Sequence, residues 1–202
     1  MMPAKVKESL LYPLLQSVAP AAWSKVLGFK LLAVEDTAMQ GGRPTGGRWT
    51  RPDLVTVGLA SYEFVPGMAI DVSSIEVKSF VSIDLAAVYE ALAHRRAATR
   101  AWVFFYVPQH LRNHVSKNLS EVCDVASEHG VGVVTFSNPA DSSTWHVERA
   151  PVRVHTDPGM LDEFIRVQLS ERTKSLVKDG VAKYARYGAA ASVEVTIPPD
   201  QP

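Results

Sequence analysis

Residues 101–107, AWVFFYV, carry no charge and no turn former. A strand with one solvated face alternates polar and apolar residues. An unbroken apolar run needs cover on both faces, as in the middle of a sheet with helices above and below. VGVVTF, residues 131–136, repeats the pattern. Between them, about 111–129, Leu119, Val122, Cys123 and Ala126 fall on one helical face, and Gly130 supplies a stop. A strand, a helix and a second buried strand make a crossover between parallel neighbours.

The chain before this unit reads as a helix and three strands. KVKESLLYPLLQSVA places Leu11, Leu14, Leu15 and Val18 on one helical face, and Pro13 makes that helix kink or start late. Strands are expected at about 25–34, 53–60 and 72–79, with a turn at Pro66-Gly67 between the last two. Three consecutive strands suggest an antiparallel meander. A helix follows from Ser82 as N-cap, with Asp84 in its first turn, to about Thr99, burying Leu85, Val88 and Leu92. TWHVER and VRVHT read as short strands. A last helix, about 158–179, carries Leu161, Phe164, Ile165 and Leu169 as a stripe that seals the domain or forms a dimer seam, and the tail PPDQP reads as disordered. The expected fold is α/β: a mixed central sheet flanked by helices. Residues 1–150 make its core and 151–202 a C-terminal helical extension and tail.

Composition excludes several classes. The 202 residues have zero formal net charge, so any nucleic-acid site is local and not a coating of the whole surface. Cys123 is the single cysteine, which rules out an internal disulfide and cysteine-rich zinc sites. A cytoplasmic location is the simplest expectation. No signal peptide or membrane span is read, because Glu8 and Pro13 interrupt the N-terminal stretch and no long apolar run follows.

The anomaly is charge on strands that ought to be buried. RPDLVTV opens the second strand with Asp53, and SSIEVKSF places Glu76 and Lys78 two apart on the third, hence on one face. Buried carboxylates and ammonium groups must be paired or bind a metal. Two carboxylates held close repel unless a cation lies between them. Mg²⁺ is the usual partner of one or two carboxylates plus phosphate.

Pro52-Asp53 followed by Glu76-Val77-Lys78 resembles the signature of the PD-(D/E)xK, or restriction-endonuclease-like, nuclease superfamily. The helix, three strands, helix, strand order over roughly residues 5–136 is similar to that family's αβββαβ core. The resemblance implies a metal-dependent hydrolysis of phosphodiester bonds, with DNA more than RNA as substrate, in defence or DNA repair. It implies Asp53, Glu76 and Lys78 as catalytic residues. Asp53, Glu76 and the Val77 backbone carbonyl would hold Mg²⁺, with Mn²⁺ able to substitute, and Glu8 matches a further metal-site glutamate on the first helix of some relatives. The metal would lower the pKa of a bound water, and Lys78 would orient it or stabilise developing charge. Arg43, Arg48, Trp49 and Arg51 in the glycine-rich loop, and Arg95, Arg96 and Arg100 near the end of the helix that follows Lys78, are candidates for nucleic-acid contact, with Trp49 stacking on a base. Tyr89 and His94 are candidates for an auxiliary polar residue on that helix. Cleavage of both strands would favour a homodimer, and a partner subunit is the other expected association.

Plainer readings stand beside these. Asp53, Glu76 and Lys78 also suit a structural ion pair, or a catalytically inactive nuclease fold acting as a nucleic-acid-binding or subunit-interaction module. Glu8 suits a solvated first helical turn, and the arginines near a helix C-terminus complement its dipole. HLRNH lacks the glutamate of a metalloprotease helix, and GGRPTGG lacks the Gly-Lys-Ser/Thr ending of a phosphate loop.

Overall fold

The computed structural model describes residues 6–27, 30–38, 51–61, 63–64 and 67–187. Arg43, Arg48, Trp49, Pro66 of the expected turn and the PPDQP tail lie outside them.

Among the described residues the strands form one six-stranded mixed sheet in the order β1-β2-β3-β4-β5-β6. These are β1 (Lys30–Asp36), β2 (Leu54–Ser61), β3 (Met68–Ser79), β4 (Arg100–Tyr106), β5 (Gly132–Phe136) and β6 (His146–Arg149). The first three are antiparallel, as the meander requires. β3–β4 and β4–β5 are parallel, across helices α2 (Leu85–His94) and α3 (Arg112–Glu128). β6 returns antiparallel to β5. Helix α1 (Tyr12–Leu27) precedes the sheet, and α4 (Pro158–Gln168) and α5 (Glu171–Tyr187) follow it.

The expected double cover of β4 is present. On one face Leu11, Tyr12, Leu15 and Trp23 meet Ile75, Val77, Trp102, Phe104 and Phe136. Trp23 lies 5.1 Å from Trp102 and 5.3 Å from Phe104 between ring centroids, contacts worth roughly 0.5–1.5 kcal/mol each beyond their buried area. On the other face α2 and α3 cover Ala101, Val103, Phe105, Val131 and Val133. The stripe of the last helices seals this same face further along: Phe164, Leu169 and Val177 pack on Ala33, Val55, Val57 and Val72. Gly130, at φ +62°, ends α3 as the sequence suggests.

Several boundaries differ from expectation. Pro13 is the second residue of α1, where a missing N–H costs nothing, so the helix starts late and does not kink there. Leu14 points outward at 43% exposure; Leu11 and Leu15 are buried as expected, joined by Tyr12 and Ala19. α1 runs on to Leu27, so the first strand lies later, at Lys30–Asp36. Asp84, not Ser82, caps α2 by accepting the Ala87 N–H at 3.3 Å. α2 stops at His94, and its buried side is Ala87, Val88, Ala91 and His94, with Leu85 exposed. VRVHT is not a strand: Val152 N–H bonds Gly130 and Val154 N–H bonds Thr99, two separate loops. The single last helix is two, because Leu169 adopts an extended backbone and is fully buried. Glu35 of β1 then accepts the Ser170 N–H at 3.0 and 3.1 Å.

Candidate functional site

The site begins where β2 stops. β2 and β3 pair from Ser61↔Met68 to Leu54↔Ile75. β3 then continues through Ser79 with β4 as its partner, up to Ser79↔Tyr106. Residues 76–79 therefore have an edge that β2 no longer covers.

Two carboxylates cover that edge. Asp53, directly after Pro52, donates its backbone N–H to the Ile75 carbonyl at 3.1 Å. Its side-chain Oδ2 accepts the Val77 N–H at 2.8 Å. Glu8, in the single 3₁₀ turn before α1, accepts the Ser79 N–H through Oε1 at 3.1 Å. A strand residue sends its N–H and C=O to the same edge. The Val77 carbonyl thus faces the edge at which Asp53 and Glu8 arrive. Of the sequence-predicted ligands, Asp53 and Glu8 arrive along this edge with the Val77 carbonyl.

Glu76 and Lys78 alternate with Val77 and point to the face covered by α2. Lys78 Nζ bonds Glu76 Oε1 at 2.7 Å and Glu90 Oε2 at 2.5 Å. His94 Nε2 stands 3.6 Å from Glu76 Oε2, a contact longer than a hydrogen bond. The His94 Nδ1 is buried with no hydrogen-bond partner among the described residues. Glu90 and His94 are four apart on α2, so one helical face presents both to the β3 pair.

The electrostatics follow from this crowding. Burial pushes the Asp53 carboxyl up, to about 7, and the charge on Glu76 adds to it; the Val77 N–H, the Tyr12 hydroxyl and Lys78 offset this only in part. Burial also raises Glu76, but His94 and Lys78 outweigh it and leave Glu76 below the usual carboxylate range. Glu90 is raised, by burial first and by Glu76 beside it. Burial alone would lower Lys78, yet Glu76 and Glu90 more than reverse this and hold it well above the usual lysine range. Lys78 is therefore a fixed cation and not a proton acceptor. Tyr12 is raised by burial and by the Asp53 charge it bonds.

Tyr12 and Glu90 are site residues that the sequence reading did not name. Their signals were present: Tyr12 is one helical turn after Glu8, and Glu90 is one turn before His94. The arginines divide. Arg51 is half-buried just ahead of Asp53. Arg100 opens β4, beyond the end of α2, and pairs with buried Asp71 at 3.0 Å. Arg95 donates to the His129 carbonyl at the end of α3, and Arg96 is exposed. Tyr89 is half exposed, with its ring 6.0 Å from that of His129.

Among the described residues, no group of three or more His, Cys, Asp or Glu converges to hold a metal ion. No described helix is long and apolar enough to cross a membrane. The chain matches no known family model, and no curated protein matches it at a significant level.

Proposed function

We propose that this chain is a metal-dependent nuclease of the PD-(D/E)xK type, hydrolysing phosphodiester bonds of nucleic acid, with DNA the favoured substrate and defence or DNA repair the setting. The observation that carries the reading is the edge of β3 that β2 leaves, where the Asp53 carboxylate seats on the Val77 N–H beside Glu76 and Lys78. Burial first, and the Glu76 charge beside it, raise the Asp53 carboxyl to about 7, and a cation seated there would favour its ionised form.

The donor set suits Mg²⁺ or Mn²⁺. Mg²⁺ binds through one or two carboxylates, water and substrate phosphate, not through a closed cage of side chains. Asp53, Glu76 and the Val77 carbonyl would hold it, with Glu8 at the same edge. When bound it would acidify a water and neutralise phosphate charge. The chain's own groups supply the remainder. The Val77 N–H and Tyr12 hydroxyl orient the Asp53 carboxylate. Lys78, kept protonated, stabilises negative charge developing on the phosphate. Glu90 holds the Lys78 ammonium in place, and His94 lies against the second oxygen of Glu76.

A second reading, a catalytically inactive module on the same fold, is favoured by one observation: both Glu76 oxygens already face partners, Lys78 and His94. Cleavage separates the two. Plasmid DNA, single-stranded DNA and RNA would be incubated with wild type and Lys78→Ala in Mg²⁺, Mn²⁺ or EDTA. Metal-dependent cutting lost in the variant is expected. No cutting of any substrate by pure wild type sinks the nuclease reading in favour of the module.

A further inference from the structure

Helix α2 also builds a groove against the segment 154–156. Tyr89, Leu92, Arg95, Arg96, His155 and Thr156 line an open space of about 590 Å³, and no described Asp or Glu lines it. Arg95 is fixed there. Its Nη1 donates to the His129 carbonyl, and its Nε is buried with no hydrogen-bond partner among the described residues. A Cβ on Gly130 would come within 3.1 Å of Arg95 Nη2, so the glycine lets the guanidinium lie close against the loop. Tyr89 presents an aromatic ring at 52% exposure, backed by His129. Arg96 is a wall shared with a neighbouring groove of about 750 Å³, which Asp157 and Glu163 line on its far side.

A fixed guanidinium, an exposed second one and an exposed ring, with no carboxylate among the described residues that line this groove, are complementary to a phosphate with a base beside it. A space of this size takes a drug-sized group, about one or two nucleotides. In a duplex the base faces are stacked on one another. Only an unpaired base offers its face to a tyrosine. We propose that this groove is a subsite for single-stranded nucleic acid, with a phosphate on Arg95 and Arg96 and an unpaired base on Tyr89. The inference rests on the nuclease reading for its substrate class.

The test is binding without cleavage. Fluorescence anisotropy in EDTA would compare a short labelled thymidine strand with a duplex of equal length, and a matching RNA strand separates RNA from DNA. The full chain would be used as wild type, Tyr89→Ala and Arg96→Ala, two exposed positions whose loss leaves the core intact; thermal melts check this. The single strand should bind more tightly than the duplex. Tyr89→Ala should weaken it by about 5- to 150-fold, the usual effect of losing one stacked base. Arg96→Ala should reduce the slope of log affinity against log salt by about 0.7, one phosphate on a single strand. Equal binding by wild type and both variants, or a duplex bound as tightly as the single strand, overturns the proposal. Variant-sensitive binding by a protein that cuts nothing in Mg²⁺ would support this subsite while removing the nuclease reading.

Discussion

Asp53 Oδ2 accepts the Val77 N–H at 2.8 Å, one step beyond the last β2–β3 pair, Leu54↔Ile75. A side chain thus completes a ladder that the backbone has left, and in doing so brings a carboxylate beside Glu76. Folding imposes this juxtaposition before any ligand arrives.

That crowding predicts a pH signature in the metal-free chain. Asp53 faces Tyr12, Glu76 and Lys78, and burial first raises its carboxyl from 3.8 to about 7. Between those values the native chain holds a proton that the unfolded chain has released. Stability from this group is complete below about pH 4 and is lost as pH rises through 7, by up to about 1.4 kcal/mol per unit. Asn keeps an acceptor for the Val77 N–H but cannot ionise. Denaturant titrations of wild type and Asp53→Asn should therefore show the stability difference moving in favour of Asn, by a few kcal/mol in order of magnitude, between pH 4 and 7, then levelling. A difference that is flat across the window contradicts the assignment.

Lys78 is clamped between Glu76 and Glu90 at 2.7 and 2.5 Å, in a half-buried setting. Removing it leaves two carboxylates facing each other. Lys78→Ala should lose about 1–3 kcal/mol of stability, less than a fully buried pair because solvent still reaches all three groups. Adding Glu90→Gln should recover part of that loss, giving a coupling of about 0.5–3 kcal/mol in a double-mutant cycle. Strict additivity would mean that the ammonium does not hold the pair together. Cleavage should be absent in both variants, so stability and activity respond differently to the second substitution.

How far the sequence reveals this fold depends on where each element's determinants lie. β4 is legible because seven consecutive apolar residues leave few alternatives, and the inner face of α3 because its period is helical. Glu76 and Lys78 share a face by strand geometry alone. The break between α4 and α5 is not legible. It depends on Glu35 accepting Ser170 N–H across 135 residues. Nor is the start of β1, since the apolar run before it continues α1 equally well and tertiary contact of Trp23 with Trp102 decides for the helix. Tyr12 and Glu90 join the site through the docking of their helices, which no local pattern encodes.

Gly132 tests the crossover itself. It pairs with Trp102 at the start of the β4–β5 ladder, and a Cβ there would lie 2.3 Å from the indole Cε3. Trp102 is fully buried between Trp23 and Phe104, so it has little room to retreat. Gly132→Ala should cost about 1–3 kcal/mol or more by overpacking. In a chain of this size that lowers Tm by roughly 2–12 °C. Unchanged melting would show that the indole does not occupy this position.

Glu8 separates a structural carboxylate from a metal ligand. Its Oε1 accepts the Ser79 N–H at 3.1 Å, at the edge shared with Asp53 and the Val77 carbonyl. Gln offers the same acceptor without the charge. If Glu8 only caps the strand, Glu8→Gln should melt within a degree or two of wild type both with and without Mg²⁺. If it also serves a cation, the metal-free melt should stay unchanged while the Mg²⁺-induced rise shrinks. At ten times Kd a site confined to the native state gains about 1.4 kcal/mol, roughly 3–6 °C here. The expected outcome is a wild-type rise of that size, reduced in Glu8→Gln and abolished in Asp53→Ala, because a hard cation follows carboxylate charge more than hydrogen-bond geometry. A rise of equal size in all three proteins would place the Mg²⁺ elsewhere and remove Asp53 and Glu8 from its ligands.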